Sequence, residues 1–308
     1  MCVHSCKFQF SLPAVRILVP TILASLGTIY FGYHSSINNT YLKDPHDNKC
    51  GVILFVHIPK TGGGSVFAWL KKHAAVLNMF DGTVRDRIKN QEQNEQMWKN
   101  SIPKANEFMR DISPKTGWKS VHLHHYFPGM HYSKDIIKSW KTIVEGKGCV
   151  FHKTTIFRDP LDRFVSLLNY LRVPLNDIDE TMRKEKNMLI RYFLFGNCDY
   201  QENEIKCRWK TPKNLNQNYM ADMMKILSEF DSIGFLDRFE EYLETIRNIT
   251  GWKENDVVKI DKVHESQDSL KLTSKMLKSF LNMNKEDYLF YYYMKNKLYP
   301  IYKLDVIT

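Results

Sequence analysis

The sequence predicts an α/β protein in which a central parallel β-sheet is flanked by helices in three layers, with one transmembrane helix ahead of it. The apolar, β-branched run GVILFVHI begins at Gly51 and is typical of a strand that is buried on both faces. The glycine-rich stretch KTGGGS follows, and SVFAWLKKHAAVL then has helical spacing, which indicates the first strand–turn–helix unit of a doubly wound sheet. An uncharged, mostly apolar segment at residues 17–33 is about as long as the shortest helices that cross a bilayer.

The bulk composition suits one enzyme-sized domain with appendages. The chain has 308 residues, of which 43% are hydrophobic and 13% aromatic, so it has ample material for a core. Its formal net charge of +10 favours anionic partners, namely nucleic acid, anionic lipid, a phosphate-bearing cofactor or an acidic glycan. Composition alone does not choose among these partners.

The N-terminal region predicts a type II membrane protein. Lys7 and Arg16 precede the apolar segment and no acidic residue does, so the positive-inside rule keeps the N-terminus cytosolic. A cleaved signal peptide is the alternative. Two N-glycosylation sequons, at Asn38 and Asn248, fit a lumenal chain. The predicted order is a cytosolic tail (1–16), a transmembrane signal-anchor (17–33), a stem (34–49) and a lumenal domain (50–308).

Four cysteines would lie in an oxidising lumen, where an even count suggests two disulfide bridges among three alternative pairings. Cys198 and Cys207 are close in sequence and have polar neighbours, which favours a local clip. Cys50 and Cys149 each stand just before a strand-like run, so a parallel sheet would bring them together.

The rest of the chain alternates strand-like and helical segments. Residues 172–215 are charged and predict irregular structure, whereas Pro160 suits the first turn of the helix that follows it. The predicted strands are 120–127, 149–158 and 231–236, and the predicted helices are 161–172, 215–230, 237–250 and 285–300.

The turn after the first strand has the chemistry of an anion site. A strand that delivers glycines to a helix N-terminus points backbone N–H groups and the positive end of the helix dipole at a ligand. Lys60 adds a full positive charge and Ser65 a hydroxyl. The nucleotide-triphosphatase pattern places its lysine after the last glycine, whereas Lys60 precedes Gly62, so the sequence disfavours that function class.

A second basic motif follows a later strand. Arg158 ends the predicted strand 149–158, and Ser166 lies eight positions on in the next helix. An arginine at a strand end and a hydroxyl from the following helix are suited to hold a phosphate. The two motifs together predict a ligand with phosphate groups at both ends.

These two stretches, HIPKTGGGS and IFRDPLDRFVS, resemble the 5′-phosphosulfate loop and the 3′-phosphate motif of PAPS-dependent sulfotransferases. The match is to the Golgi carbohydrate branch, near the heparan sulfate and uronyl 2-O- and 6-O-sulfotransferases. The stretches LNQNYMADMMKILSEFDSIGFLDRFEEYLETI and DYLFYYYMKNKLY also resemble that branch, so the likeness covers residues 51–302. It implies a P-loop-like form of the three-layer fold, PAPS as co-substrate, and a single-pass protein of the Golgi membrane.

The resemblance also implies roles for individual residues. Arg158 and Ser166 would hold the 3′-phosphate, and Arg163 would either join them or pair with a neighbouring acid. Gly64 departs from the family, which often has Thr there, so one hydroxyl contact is lost while the backbone N–H remains. The residues that would cradle the 5′-phosphosulfate are Lys60, Thr61, Gly62, Gly63, Gly64 and Ser65.

Sulfuryl transfer needs a base for the acceptor hydroxyl and positive charge on the leaving phosphate. Lys60 fits the second task, and histidine fits the first. The His-x-His pattern of the 2-O-sulfotransferases that the chain resembles points to His124 as the base. The sequence does not decide between His124 and its neighbour His125. His122 and His131, in the same stretch VHLHHYFPGMH, are further candidates. A zinc site is the rival interpretation of these histidines, but no nearby Cys or carboxylate completes a ligand set, so no metal is expected.

The expected acceptor is an acidic polysaccharide such as a glycosaminoglycan, or another glycan, rather than nucleic acid. A second hypothesis is a catalytically inactive member of the fold that binds glycans or a partner in the membrane. The sequence leaves the oligomeric state open, with a homo-oligomer among the alternatives.

Overall fold

The computed structural model describes residues 50–79, 91–124, 128–196, 198–201, 204–207, 219–253 and 272–299. The predicted tail, transmembrane segment and stem lie outside these residues, as do Asn38 and His125. Among the helices within the described ranges, none is long and apolar enough to cross a membrane.

The first half of the fold alternates strands and helices. Its elements are β1 (Gly51–Val56), α1 (Gly63–His73), β2 (Ala75–Asn78), α2 (Gln91–Arg110), β3 (Trp118–Leu123), α3 (Met130–Glu145), β4 (Val150–Phe157) and α4 (Pro160–Leu171).

The second half contains more helices. After a 3₁₀ turn at Leu175–Asp177 come α5 (Ile178–Lys184), α6 (Met188–Phe195), β5 (Cys198–Gln201), β6 (Glu204–Cys207), α7 (Tyr219–Leu227), β7 (Ser232–Phe235), a 3₁₀ turn (Leu236–Arg238), α8 (Phe239–Thr250), α9 (Ser274–Met283) and α10 (Lys285–Leu298).

A five-stranded sheet of order β2-β3-β1-β4-β7 forms the centre, and every pairing in it is parallel. All six residues of β1 are buried, because this strand has neighbours on both sides and helices over both faces. Val52 and Leu54 join one hydrophobic cluster, while Ile53 and Phe55 join another. The predicted parallel sheet flanked by helices is therefore confirmed.

Different helices cover the two faces of the sheet. The larger cluster takes buried residues from α2, α3, α6, α7 and α10, and the second takes them from α1 and α8. A third cluster joins α4 to α5 and α9 through residues such as Phe164 and Phe280. This third cluster packs α4, the helix that follows Arg158, against α5 and α9.

Three predicted boundaries were wrong. The first helix ends at His73, and Ala75–Asn78 forms edge strand β2 on β3, because tertiary pairing overrides the helical spacing of a short apolar run. The strand predicted at 120–127 runs from Trp118 to Leu123. The region 172–215 contains α5 and α6; every residue of α6 from Leu189 to Phe195 is buried, so it shows no amphipathic period to detect.

The cysteines lie where the predicted pairing places them. Cys50 and Cys149 form a disulfide, because β1 and β4 pair with Gly51 opposite Val150 and so bring the preceding residues together. Cys198 and Cys207 face each other in the antiparallel hairpin of β5 and β6. A bridge between that second pair stays a prediction.

Candidate active site

Three motifs predicted from the sequence meet at one edge of the sheet. Strand β1 lies between β3 and β4, so the segments that follow these three parallel strands begin side by side. The glycine turn follows β1, His124 follows β3 and Arg158 follows β4. The chain runs from β1 to the outer strand β2, returns to β3, and then crosses to β4 on the other side of β1. The strand order therefore reverses between β1 and β4, and the C-terminal ends of these strands form the switch point where ligands bind in open α/β sheets.

The glycine turn leads into helix α1, and its backbone has positive φ angles at two residues. Lys60 has φ of 67° and Gly62 has φ of 91°, both in the left-handed region. The Ser65 amide donates to the carbonyl oxygen of Gly62 at 3.0 Å, which closes the first turn of the helix. The amides of Gly63 and Gly64 therefore belong to the open N-terminal end, where helix geometry favours an anion.

The three glycines differ in how much room surrounds them. A Cβ on Gly63 would lie 1.9 Å from Cδ2 of His57, and one on Gly62 would lie 2.4 Å from Cδ1 of Leu236. A Cβ on Gly64 would meet no atom within 4 Å, so the position accepts the Thr that the family often has. Packing against the His57 ring thus requires Gly63, the positive φ of Gly62 favours glycine at that position, and the third position is left open.

Thr61 braces the turn from inside. Its side chain is fully buried, and its hydroxyl donates to the carbonyl oxygen of Ile58 at 2.8 Å. The side chain therefore fixes the turn, and the residue's contribution to a cradle would come from its backbone.

Lys60 and Arg158 place two positive charges close together. Arg158 Nη1 lies 3.5 Å from the carbonyl oxygen of Lys60, and Lys60 Nζ lies over the ring of Tyr170, 4.1 Å from its centroid. Burial lowers the pKa of Lys60, and the Arg158 charge lowers it further. Burial also lowers the pKa of Arg158, against the opposing effect of Asp162 and Asp159. Burial disfavours the charged form of both side chains and the Arg158 charge further disfavours that of Lys60, so a bound anion would stabilise both.

Helix α4 begins with a cap that satisfies its own amides. Asp159 Oδ1 accepts from the amides of Leu161 and Asp162 at 2.9 and 3.2 Å, and Pro160 occupies the first helical position. An anion at this strand end would therefore contact the Arg158 side chain rather than the helix amides.

Two further polar residues of α4 have different surroundings. Ser166 is half-buried and lies one turn before Tyr170, on the same face of the helix. Arg163 is 2% exposed and its Nη2 lies 2.8 Å from Glu185 Oε2, so it pairs with a neighbouring acid, the second of the two alternatives that the sequence left open.

Three histidines form a cluster beside the glycine turn. His57 Nδ1 lies 2.9 Å from His122 Nε2, and His122 Nδ1 lies 3.3 Å from Asn78 Oδ1. The rings of His57 and His124 stack with centroids 3.7 Å apart, and His124 Nδ1 lies 3.2 Å from the carbonyl oxygen of His57. A carbonyl oxygen only accepts, so Nδ1 of His124 carries the proton and Nε2 is its basic nitrogen.

Two other histidines within the described ranges, His131 and His152, have separate surroundings. His131 stacks on Phe195 with centroids 5.3 Å apart and lies 3.8 Å from Asp222, and burial lowers its pKa. His152 Nε2 lies 2.8 Å from Ser232 Oγ and links β4 to β7. Within the described ranges, no group of three or more His, Cys, Asp or Glu side chains is arranged to hold a metal ion.

Sequence reasoning did not assign two residues of this hydrogen-bonded group to the site. His57 is one of them, although its place directly after β1 and before the turn was a usable signal. Asn78 ends β2, a strand that the sequence assigned to a helix, so nothing in the sequence pattern placed it near His122.

No protein-family model matches the chain, and no curated protein matches it. A solved structure from work on the PezAT chromosomal toxin-antitoxin system of Streptococcus pneumoniae is similar at 13% identity, over 89% of this chain and 98% of that one, with a TM-score of 0.29. A likeness at that TM-score carries no argument about fold or function.

Proposed function

We propose that this protein is a PAPS-dependent sulfotransferase that transfers a sulfuryl group to a hydroxyl of a glycan. The observation that supports this best is the meeting of Lys60 and Arg158 at the ends of β1 and β4, beside a glycine turn that opens a helix. The strand order, with the glycine turn after the central strand β1, is compatible with the P-loop-like form of the fold.

The residues present suit the two anionic ends of PAPS. The 5′-phosphosulfate would contact Lys60 and the amides at the start of α1, from Gly62 to Ser65. The 3′-phosphate would contact the Arg158 guanidinium, which is able to bind two oxygens at once, and the Ser166 hydroxyl. Two half-buried cations with lowered pKa values gain most from a ligand that carries negative charge at both ends.

The proposed reaction is an in-line displacement at sulfur. Nε2 of His124 takes the proton of the acceptor hydroxyl, whose oxygen bonds to sulfur as the bond from sulfur to the 5′-phosphate oxygen breaks. Lys60 stabilises the negative charge that grows on the departing phosphate. The hydrogen bond from Nδ1 of His124 to the carbonyl oxygen of His57 holds the proton on Nδ1 and so makes Nε2 the basic nitrogen for this step.

The acceptor and the compartment are part of the same proposal. An excess of ten positive charges suits an acidic polysaccharide such as a glycosaminoglycan. The Cys50–Cys149 disulfide agrees with an oxidising lumen, and we place the protein in the Golgi membrane with its catalytic domain on the lumenal side.

The test is transfer of radiolabelled sulfate from PAPS to desulfated heparan, chondroitin and dermatan by the full chain. We expect transfer to one of these acceptors, and a loss of at least about 100-fold in both Lys60→Ala and His124→Ala. Lys278→Ala, which removes an exposed lysine on α9, is the matched control and should keep wild-type activity.

Two results would change the proposal. Transfer that survives His124→Ala would move the base to His125 or His122. Retention of the product nucleotide PAP without transfer to any acceptor would support the inactive, binding-only member of the fold, and no retention of PAP would refute the nucleotide site itself.

A further inference from the structure

The ring of His57 is held in place from several directions. Its backbone amide donates to the carbonyl oxygen of Leu123 at 2.9 Å, which fixes the residue to β3. The side chain is 7% exposed and lies directly under Gly63, where any Cβ would collide with it. A residue this constrained presents its ring at a fixed position between the glycine turn and β3.

A directed hydrogen-bond chain sets the orientation of that ring. The amide oxygen of Asn78 accepts from Nδ1 of His122, which leaves Nε2 of His122 to accept from Nδ1 of His57. The His122 ring is itself fixed, because it stacks on Phe67 with centroids 4.3 Å apart. The chain therefore places the proton of neutral His57 on Nδ1.

The His57 ring also supports His124. The two rings stack at 3.7 Å with planes 17° apart, and the backbone oxygen of His57 accepts from Nδ1 of His124. One contact restrains the tilt of the His124 ring and the other restrains its tautomer. Both come from a single residue.

We infer that His57 is a positioning residue: its ring, held by the Asn78–His122–His57 chain, orients His124, and its backbone carbonyl oxygen keeps the proton of His124 on Nδ1. The inference rests on the proposed function in one respect, namely that His124 is the base. His57 does not itself take part in proton transfer, because its ring contacts His124 face to face rather than through a hydrogen bond between ring nitrogens.

Two substitutions separate the roles of the ring. His57→Phe keeps a flat ring for stacking but removes the hydrogen bond to His122, and His57→Asn keeps a donor near the position of Nδ1 but removes the stacking surface. We expect kcat of the full chain to fall about 10- to 100-fold in both, with KM for PAPS and the dissociation constant of PAP within about twofold of wild type. A merely structural role would not lower kcat while leaving the KM for PAPS and the dissociation constant of PAP unchanged.

A second readout does not depend on activity. In the wild-type chain, the imidazole ¹⁵N shifts of His124 should report a proton on Nδ1. Both variants keep the backbone oxygen of residue 57 but lose the oriented ring, so the His124 ring should tilt away from that oxygen and show a mixture of tautomers. Asn78→Ala, at the outer end of the chain and away from the glycine turn, is the milder variant in case His57 variants fold poorly. It should alter the ¹⁵N shifts of His122 and His57 and lower kcat less than either His57 substitution.

The outcomes distinguish this inference from the proposed function. If the wild-type chain neither binds PAP nor transfers sulfate, the proposed function fails, and the ¹⁵N shifts still decide whether His57 sets the tautomer of His124. Unchanged His124 shifts and unchanged kcat in the His57 variants would overturn the inference while leaving sulfuryl transfer intact. Loss of PAP binding in step with kcat would also overturn it, because His57 would then support the glycine turn instead of His124.

Discussion

Lys60 combines three features that lysines usually avoid. Its backbone has a positive φ, its amino group is half-buried over Tyr170, and Arg158 lies beside it. Burial and the neighbouring charge both oppose its protonation in the folded protein. Such an arrangement weakens the ligand-free protein and strengthens anion binding, which is the usual exchange of stability for function at a binding site.

The first prediction follows from this exchange. Lys60→Met should raise the Tm of the ligand-free full chain and weaken PAP binding by about 10- to 100-fold, as expected for the loss of one charge-assisted contact. Because the pKa of Lys60 is lowered in the folded state from 10.5, the unfolded chain holds this proton more tightly, and the folded state regains stability as the pH rises toward 10.5. The Tm advantage of Lys60→Met should therefore shrink with rising pH in thermal unfolding scans.

Lys278→Met is the matched control for this prediction, since Lys278 is exposed on α9. It should leave both Tm and PAP affinity at wild-type values. A ligand-free Lys60→Met protein that melts below wild type would show that the contact with Tyr170 outweighs the repulsion from Arg158.

At the scale of elements, the two adjacent glycines that begin α1, Gly63 and Gly64, have different surroundings. Gly63 is buried against His57, and Gly64 is exposed with open space around its Cα. Sequence reasoning singled out Gly64 only through the resemblance, because a glycine's letter does not reveal what a side chain would meet. The positions of Lys60 and Arg158 just after two strands were predictable, since each basic residue follows an apolar, strand-like run.

The second prediction uses this pair of glycines. Gly63→Ala should lower PAP affinity and turnover together by at least about 10-fold, because its methyl group forces apart the turn and the His57 ring. Gly64→Ala should keep both within about twofold and raise the free energy of unfolding by up to about 1 kcal/mol, since alanine is the better helix residue. Calorimetric titration with PAP and denaturant unfolding provide the measurements. Equal tolerance of the two substitutions would contradict the packing at Gly63.

At the scale of the whole molecule, one disulfide closes a long loop around the central strands. Cys50 and Cys149 are separated by 99 residues and join the residues before β1 and β4. The sequence predicted this bridge because both cysteines precede strand-like runs of a parallel sheet. It did not predict the short edge strand β2 or the buried helix α6, since pairing and all-round burial create these elements without a periodic signal.

The third prediction concerns this bridge. The double variant Cys50→Ser/Cys149→Ser should lose about 2–5 kcal/mol of unfolding free energy in denaturant, because a long loop in the unfolded chain is no longer closed. The pair Cys198→Ser/Cys207→Ser spans a short hairpin and is the comparison, with a smaller expected loss even if those cysteines pair. A Cys50/Cys149 variant as stable as wild type would contradict a bridge that constrains the unfolded state.

The central position of β1 also has a consequence for how the chain is made. This strand is the first described element to leave the ribosome, yet its two neighbours, β3 and β4, begin only at Trp118 and Val150. At bacterial or eukaryotic synthesis speeds, a wholly apolar strand would wait about 5–20 s before its second neighbour exists. During that interval both of its hydrogen-bonding edges are available to other chains. Production of this protein is thus expected to depend on chaperones that hold the nascent chain apart from its copies until β4 has been synthesised.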